Sequence, residues 1–293
     1  MQRRQFIQVS SMALGTGLLP AATRAANPKA TPALTIGLLT DVHYADKPAR
    51  GSRFYRDSLG KAEVAAEFFK RMKPDLVLCL GDLIDAAPSL EEEISDLKTI
   101  SEVIDRSGRP RRHVLGNHCV HTLTKAEFFK HAALSQTTGH FSEVIGGTRI
   151  VVLDACFTGD MEPYQRKNFE WTDTNIPEGQ LKWLESELKA SKEPAVVFIH
   201  QRIDRPPSDH HTVNQSPRVR QILERSGKVS AVFQGHSHQN DLTTLNGIDY
   251  CTLAAMVEGQ GSEKNAYSLL EIHSDGSMTL KGYHQQVGRE FGE

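Results

Sequence analysis

The feature that most constrains the fold is a regular alternation of short apolar runs with segments of helical periodicity. Short runs rich in Val, Ile and Leu predict buried strands, and the amphipathic segments between them predict helices that cover a sheet. The predicted strands are 34–40, 75–80, 112–116, 148–155, 194–200 and 229–235, and the predicted helices are 61–72, 94–104, 125–133, 178–191 and 216–226. The sequence therefore predicts an α/β fold.

The pattern changes after residue 240 to short strands separated by turns. Asn246-Gly247 and Asp275-Gly276 are typical of tight hairpin turns. Neither an internal repeat nor a linker interrupts the chain. We therefore expect one domain over residues 33–293, with a parallel half and an antiparallel half.

The N-terminus has a different character from the rest. Arg3 and Arg4 precede a mildly apolar stretch and an Ala-rich region, which resembles a twin-arginine export signal. We predict that residues 1–26 are a signal peptide recognised by the twin-arginine translocase, and that the mature protein is periplasmic or secreted. A stable membrane anchor is not expected, because the stretch is shorter than the roughly 20 residues a bilayer needs and contains Gly15 and Gly17. The alternative is a disordered basic N-terminus of a cytosolic protein.

Composition narrows the function classes. Of the 293 residues 39% are hydrophobic and 24% charged, as in a soluble globular protein, and the net charge of −2 argues against a nucleic-acid partner. The four cysteines show no CxxC spacing, which excludes thiolate zinc sites and thioredoxin-like chemistry; Cys79, Cys156 and Cys251 lie in apolar runs and are predicted core residues. Thirteen histidines are many for this length and hint at metal chemistry.

Metal-ligating residue types follow five of the predicted strands. Taken alone, GHSHQN (235–240) is typical of a strand that ends in a polar loop. Open α/β sheets, however, bind ligands at the carboxyl ends of their strands, and five strands supplying such residues predict a shared site. The residues concerned are Asp41 and His43, Asp82 and Asp85, Asn117 and His118, His200, and His236 and His238.

The same set suits two divalent ions. A dinuclear site needs a bridging carboxylate together with oxygen and nitrogen ligands around each ion. Glycines precede Asp82, Asn117 and His236, and we expect them to form sharp turns that let these side chains reach inward. The side-chain types suit manganese, iron or zinc.

The motifs D-x-H, G-D-x-x-D, G-N-H, a lone His and G-H-x-H, in this order, resemble those of the calcineurin-like metallophosphoesterase family. The resemblance implies a four-layer αββα sandwich of two mixed sheets, with a dinuclear metal site at the carboxyl ends of the strands. It implies two ligand sets, which are Asp41, His43, Asp82 and His238 for one ion and Asp82, Asn117, His200 and His236 for the other. It further implies that Asp82 bridges the ions, and that His118 is not a ligand but a catalytic group that stabilises or protonates the departing oxygen.

The chain departs from the family pattern at two positions. Cys119 stands where an acidic residue commonly follows G-N-H, and Arg202 replaces a Pro two residues after the lone His. These departures leave open what orients His118, but they do not affect the predicted metal ligands. We predict that Asp85, the other candidate catalytic residue, orients His118.

A narrower resemblance concerns the substrate. The segments DVHYADKPARGSRFYRDSL, GDLID, EGQLKWLESEL and LAAMVEG are similar to manganese-dependent ADP-ribose/CDP-alcohol diphosphatases, which favours manganese. Arg53, Tyr55 and Arg56 follow the first metal motif and are predicted to bind a second phosphate. In the alternative, Tyr55 and Arg56 simply begin a helix.

The loop 201–215 directly follows His200. It is predicted either to form a lid that places Arg202, His211 or Asn214 against the substrate, or to be a plain surface loop. Both interpretations remain open from the sequence.

The resulting hypothesis is a metal-dependent hydrolase that acts on small phosphorylated substrates, nucleotide diphosphate-linked ones such as ADP-ribose and CDP-alcohols first among them. Water is the expected nucleophile, without a covalent intermediate. The alternative is a broad-range phosphomonoesterase or phosphodiesterase of the same fold. A non-catalytic metal-binding protein is disfavoured by the complete ligand set together with His118.

Overall fold

Two six-stranded mixed sheets form the centre of the computed structural model, which describes residues 31–292. The first sheet has the order β12-β11-β10-β1-β2-β3 and the second the order β4-β5-β6-β7-β9-β8. The strands of the first are β1 (Leu34–Leu39), β2 (Leu76–Cys79), β3 (Arg111–His113), β10 (Ala266–Ile272), β11 (Met278–His284) and β12 (Arg289–Phe291). Those of the second are β4 (Phe141–Ile145), β5 (Thr148–Val152), β6 (Ala195–Phe198), β7 (Val229–Gln234), β8 (Asp241–Leu245) and β9 (Ile248–Thr252).

The layer between the sheets is the central hydrophobic core. Alternate residues of β1, namely Leu34, Ile36 and Leu38, are buried together with Phe198 of β6 and Phe233 of β7. Side chains two residues apart share one face of a strand, which explains how the apolar runs of both sheets fill one layer. Each such side chain contributes about 1.5–3 kcal/mol through burial.

Within residues 31–292, five α-helices cover the outer faces of the sheets. α1 (Asp57–Met72), α2 (Leu90–Asp105) and α3 (Lys125–His131) pack on the first sheet, while α4 (Glu178–Ala190) and α5 (Ser216–Ser226) pack on the second. α2 and α3 both begin with a capping box, in which a Ser or Thr side chain and a Glu side chain satisfy the free amides of the first turn. The predicted four-layer αββα sandwich of two mixed sheets is confirmed.

The segment beyond residue 240 does not form an antiparallel half of its own. β8 and β9 extend the second sheet, where β9 pairs parallel with β7, and β10 to β12 extend the first sheet beside β1. β10 is almost entirely buried because it lies inside the first sheet rather than at its edge. The hairpin of β4 and β5 was not predicted, because β4 is only half buried and its sequence FSEVI lacks an apolar run.

The carboxyl ends of the central parallel strands meet at one end of the sandwich. Backbone hydrogen bonds join the loops there, from Asp41 N–H to the carbonyl of Gly81, from Gly235 N–H to that of His200, and from Met256 N–H to that of Thr40. Loops after strands of both sheets therefore share one site.

The described residues from Pro32 onward form one compact unit. All four cysteines are buried with free thiols, which agrees with the core positions predicted for Cys79, Cys156 and Cys251; Cys119 is buried as well. None of the helices within residues 31–292 is long and apolar enough to cross a bilayer. The predicted signal peptide, residues 1–26, lies outside the described residues.

Candidate metal centre

Left-handed backbone conformations turn the predicted ligands inward at the strand ends. Five of them have φ between 45 and 68°, namely Asp41, His43, Asp82, His236 and His238. This region is uncommon for residues other than glycine, although Asp and His adopt it more readily than most, and it persists only where the surrounding structure enforces it. Such local strain concentrates at functional sites, and here it coincides with the residues predicted from the motifs.

One group of side chains converges around Asp41. His43 Nε2 lies 3.2 Å from His238 Nε2, and these two nitrogens lie 3.7 and 3.4 Å from Asp41 Oδ1. The other carboxylate oxygen of Asp41 accepts hydrogen bonds from the Thr40 hydroxyl at 2.7 Å and from the His236 backbone N–H at 3.1 Å. Asp41 is thereby fixed with Oδ1 directed at both imidazoles.

A second group converges around Asp82. Its Oδ2 lies 3.1 Å from His200 Nε2, and His200 Nε2 lies 3.3 Å from His236 Nδ1. The same Oδ2 lies 3.5 Å from His43 Nε2, so it stands between the two groups. Asp82 Oδ1 instead accepts the backbone N–H of His118 at 2.8 Å. One oxygen of Asp82 thus orients the carboxylate and the other occupies the bridging position.

The outer nitrogens of three imidazoles are fixed by acceptors. His43 Nδ1 donates to Asp85 Oδ2 at 3.0 Å, His238 Nδ1 to Glu258 Oε1 at 2.6 Å, and His200 Nδ1 to the carbonyl of Leu80 at 2.7 Å. Carboxylates and carbonyls only accept, so in each neutral ring the proton resides on Nδ1 and Nε2 carries the lone pair. Partners of this kind orient metal-ligating histidines and raise their basicity.

This donor set fits two cations. When both rings are neutral, the lone pairs of His43 and His238 face each other and Asp41 Oδ1, and this arrangement is repulsive unless a proton or a metal cation lies between them. This oxygen of Asp41 and Asn117 Oδ1 are both buried without any hydrogen-bond partner. Buried polar atoms are normally satisfied, and a divalent ion would satisfy these. Three overlapping triads of potential ligands lie in this region, Asp41/His43/His238, His43/Asp82/His118 and Asp82/His200/His236.

The close approach of carboxylates and imidazoles shifts the pKa values of both kinds of group. Burial alone would raise the pKa of Asp41 and Asp82, but the imidazoles, His200 foremost, outweigh it and hold both pKa values well below the usual range. Burial would likewise lower the pKa of His200 and His238, yet the surrounding carboxylates raise both to about 9. A bound divalent ion competes with these protons for the same nitrogens.

Glycines before the ligands are required chiefly for space. A Cβ on Gly235 would lie 2.3 Å from Thr40 Oγ1 and 2.6 Å from Asp41 Oδ2, and Gly235 does not have a positive φ. Gly116, before Asn117, likewise lacks a positive φ. Only Gly81 combines a positive φ of 99° with a close approach, since its Cβ would lie 2.3 Å from His200 Nδ1. The predicted sharp turn therefore holds for Gly81, and close packing explains the other two.

His118 stands at the edge of the cluster and faces a cavity. Its Nδ1 lies 3.3 Å from Asp85 Oδ1, and its ring packs edge-on against that of His43 with centroids 4.6 Å apart. Burial would lower the pKa of His118, but Asp82 and Asp85 outweigh it and raise the pKa. Asp85 contacts both His118 and His43, and it also accepts from Lys47 Nζ at 2.9 Å. The geometry places Asp85 where the sequence predicted a partner for His118.

The cavity beside His118 has a volume of about 220 Å³. Four predicted metal ligands from the two sets line it, together with the predicted catalytic histidine, one arginine, one tryptophan and one further histidine. The lining residues are Arg53, Asp82, Asn117, His118, Trp171, His211, His236 and His238. The cavity therefore gives access to candidate metal ligands of both sets.

The predicted phosphate-binding segment is brought to the cavity only in part. Arg53 lines it, with Nη1 4.0 Å from Asp85 Oδ2. Tyr55 is buried against Ala45, Ala255 and Val257. Arg56 precedes α1 and forms an exposed ion pair with Asp46 at 2.6 Å. A direct substrate role for Tyr55 and Arg56 is therefore not supported, and the alternative, that they lead into a helix, describes them.

Arg202 also points away from the cavity. Its guanidinium is buried between Asp204 and Asp241, with Nη2 2.5 and 2.6 Å from their carboxylates. The backbone of Arg202 pairs with His211 and Val213, which closes the loop 201–215 on itself. Asn214 donates to Asp173 and Asn175. Of the three loop residues predicted to meet substrate, only His211 reaches the cavity.

Two residues of the site were missed by the sequence reasoning. Glu258 follows β9 in the segment LAAMVEG, and the signal that could have identified it is an acidic residue after a strand. Trp171 lies in an irregular segment between β5 and α4, where no periodicity or strand end marks it. Its position at the cavity depends on tertiary packing.

Comparison with known proteins supports this description. A sequence profile described as calcineurin-like phosphoesterase matches residues 34–240. The manganese-dependent ADP-ribose/CDP-alcohol diphosphatase of Xenopus laevis is 24% identical over 320 aligned positions, which span 86% of this chain and 88% of that protein. The serine/threonine-protein phosphatase CPPED1 of Mus musculus is 26% identical over 230 positions, spanning 73% of this chain and 70% of that protein.

Solved structures show the same fold. The crystal structure of a dimetal phosphatase from Danio rerio superposes with a TM-score of 0.75 at 20% identity, covering 89% of this chain and 100% of that chain. A purple acid phosphatase from yellow lupin gives a TM-score of 0.56 at 15% identity, covering 88% of this chain and 53% of that chain.

Proposed function

Since the chain belongs to the calcineurin-like phosphoesterase family and is a metal-dependent hydrolase with a dinuclear site, we propose that it cleaves the diphosphate link of nucleotide-linked substrates such as ADP-ribose and CDP-alcohols. The observation that carries the proposal is the position of Arg53. Its guanidinium lines the same cavity as His118 and Asn117. A guanidinium there is suited to a second phosphate beside the one attacked.

The residues that would hold the ions are Asp41, His43, Asp82 and His238 for one and Asp82, Asn117, His200 and His236 for the other, with manganese the favoured metal. When bound, two divalent ions supply positive charge for the phosphoryl oxygens and make water nucleophilic near neutral pH. Relatives whose names specify manganese dependence support this choice of metal.

The chain's own groups then act on the rest of the substrate. His118 faces the cavity, and Asp82 and Asp85 raise the pKa of its ring, which favours the protonated form that can donate a proton or hydrogen bond to the departing oxygen. Asp85, 3.3 Å from His118 Nδ1, orients that ring and stabilises its charge. Arg53 binds the second phosphate, which remains with the leaving group. This contact stabilises the transition state only for substrates that contain a second phosphate.

The test compares two arginines that lie three residues apart. Arg53→Ala should lower kcat/KM for ADP-ribose and CDP-choline by about 10- to 100-fold, the value of a charge-assisted hydrogen bond, and lower that for an aryl phosphate much less. Arg56→Ala is the matched control, because the Arg56 side chain pairs with Asp46 outside the cavity. This variant should leave kcat/KM unchanged for the diphosphate substrates and for the aryl phosphate. Steady-state kinetics with Mn²⁺ on the three substrates measures both effects.

A phosphomonoesterase is the second candidate, because only one of the predicted arginines, Arg53, reaches the cavity. The similarity to a protein named as a serine/threonine-protein phosphatase favours it as well. A parent enzyme that prefers the aryl phosphate, or an Arg53→Ala variant with equal losses on all three substrates, would favour this candidate over the diphosphatase.

We also propose export through the twin-arginine translocase to the periplasm or the exterior. Arg3 and Arg4, followed by the apolar and Ala-rich segment, support it. Replacement of both arginines by Lys should leave the full-length precursor in the cytoplasm. Normal delivery of that variant, measured by cell fractionation, would contradict the proposal.

A further inference from the structure

Trp171 is an exposed aromatic side chain at the mouth of a charged site. It is 44% exposed, yet it lines the cavity that contains the candidate metal ligands. Its ring centroid lies 5.5 Å from that of His211 and 5.9 Å from that of His236. The other tryptophan, Trp183, instead packs against the core between α4 and the second sheet. Trp171 therefore contributes little to the core, and its side chain borders the cavity.

The segment that carries Trp171 is held in place by polar contacts. Asp173 accepts hydrogen bonds from Gly159 N–H at 2.8 Å, from Asn175 Nδ2 at 2.9 Å and from Asn214 Nδ2 at 3.1 Å. Its backbone carbonyl accepts the hydroxyl of Tyr164. The indole is thus presented by an ordered loop, and the loop of His211 is tied to it through Asn214. A fixed aromatic surface loses little conformational freedom when a ligand stacks on it.

The size of the cavity decides which part of a substrate can reach these rings. At about 220 Å³ it is smaller than the roughly 300–1,000 Å³ of pockets that enclose a whole drug-sized ligand. The part of the cavity beside the candidate metal ligands would hold the phosphoryl group, and it is bordered by Asp82, Asn117 and His118. The remainder of a nucleotide-sized substrate must extend to the rim, where Trp171 and His211 lie.

We propose that Trp171, together with His211, forms a stacking platform for the planar base of a nucleotide substrate. The platform rests on the proposed function, because it gives nucleotide-linked substrates an advantage that simpler phosphates lack. Stacking on an aromatic face tolerates different bases, since every base has a π-face. Trp171 is accordingly a specificity-determining residue that selects for a nucleotide base on the substrate without distinguishing one base from another.

The experiment measures binding of AMP and of ribose 5-phosphate, which share a ribose phosphate and differ in the base. In the Mn²⁺-loaded protein, both are measured as competitive inhibitors and by tryptophan fluorescence in a Trp183→Phe background, where Trp171 is the only tryptophan. AMP should bind more tightly and should quench the fluorescence of Trp171 more than ribose 5-phosphate does. Trp171→Leu should weaken the binding of AMP by about 5- to 100-fold, the range expected for loss of base stacking. It should weaken the binding of ribose 5-phosphate by less than about twofold.

Two further variants sharpen the result. Trp171→Phe retains a ring and should keep most of the preference for AMP, whereas Trp183→Phe alone should leave both inhibition constants unchanged. Equal weakening of AMP and ribose 5-phosphate by Trp171→Leu, or a parent that binds both equally, would overturn the platform. The inhibition constants report on the platform whichever phosphate ester is hydrolysed, so its failure is distinct from failure of the diphosphatase proposal.

4-Nitrophenyl phosphate serves as a third ligand, with an aryl ring in place of a base. If Trp171→Leu weakens its binding as much as that of AMP, any aryl ring suffices, and the assignment of the platform to a base is overturned.

Discussion

His118 differs from the neighbouring imidazoles in what its ring faces. His43, His200 and His238 are each fixed through Nδ1, with Nε2 directed at a carboxylate. The ring of His118 instead lines the cavity, and its backbone N–H holds Asp82. His118 also lies close enough to Asp82 and His43 to share a metal ion with them. The contact with Asp85 and the raised pKa favour a proton donor.

This distinction predicts different losses for two single substitutions. His118→Ala should retain both metal equivalents and lose about 100-fold or more in kcat, the usual cost of removing a positioned acid. His236→Ala should lose metal, because its Nδ1 belongs to the group around Asp82 and His200. Metal analysis alongside kinetics separates the two outcomes. Equal metal loss in both variants would make His118 a ligand.

Residues close to strand ends were predictable, and residues defined by distant partners were not. Strand-end position identified Asp41, Asp82 and their companions because the parallel strands of an α/β fold deliver their ends to one edge. Arg202 looked equally available in the sequence. Its partner Asp241 lies 39 residues away, and only the folded chain shows that this ion pair withdraws the guanidinium from the cavity.

At the scale of elements, helix α1 anchors the loop that supports the metal centre. Lys61 is buried within α1, and its ammonium donates to the carbonyls of Met256, Glu258 and Gly259 at 2.8, 3.0 and 2.7 Å. The side chain of Glu258 in turn accepts from His238 Nδ1. Three donors thus meet three carbonyls, and the position of Glu258 depends on a helix that does not itself reach the site.

Lys61→Met should therefore affect both stability and metal binding. Three buried carbonyls lose their donor, which we expect to cost about 3 kcal/mol of unfolding free energy. The shifted Glu258 should lower Mn²⁺ affinity about 10- to 100-fold, as loss of support behind a ligating histidine does. Urea unfolding and metal titration measure the two effects. Lys70→Met, an exposed position on the same helix, is the control, and an equal effect there would refute the anchor.

Strand β3 contains a buried histidine that should sensitise the fold to acid. Burial first, and the adjacent Arg111, hold the pKa of His113 well below its usual value of 6.5. Above pH 6.5 both the folded and unfolded forms are neutral at this site. Below it only the unfolded chain takes up the proton, so stability falls as the pH falls, by up to about 1.4 kcal/mol per pH unit.

His113→Leu removes that proton uptake and should make the pH dependence shallower. Urea unfolding of the metal-free protein between pH 6.5 and 5.5 tests this, with the variant losing less stability than the parent over the interval. Parallel losses in the two proteins would show that His113 is not responsible.

At the scale of the whole molecule, the site exists only because two sheets end at the same place. The first sheet supplies Asp41 and Asp82 after β1 and β2, and the second supplies His200 and His236 after β6 and β7. The alternation of strands and helices predicted the layers and, with the motifs, the family. It did not predict how the last five strands divide between the sheets, because that pairing depends on which edges the earlier strands leave open.

The central claim is that this junction binds two divalent ions through a shared carboxylate. Asp82 Oδ2 stands between His200 Nε2 and His43 Nε2, so Asp82→Asn removes the charge that would hold two cations close together. The most direct measurement is the metal content per chain of parent and Asp82→Asn proteins after equilibration with Mn²⁺ and removal of free metal. We predict two ions in the parent and no more than one in the variant, with activity lost in parallel. Two ions retained by Asp82→Asn, or only one in the parent, would contradict the account.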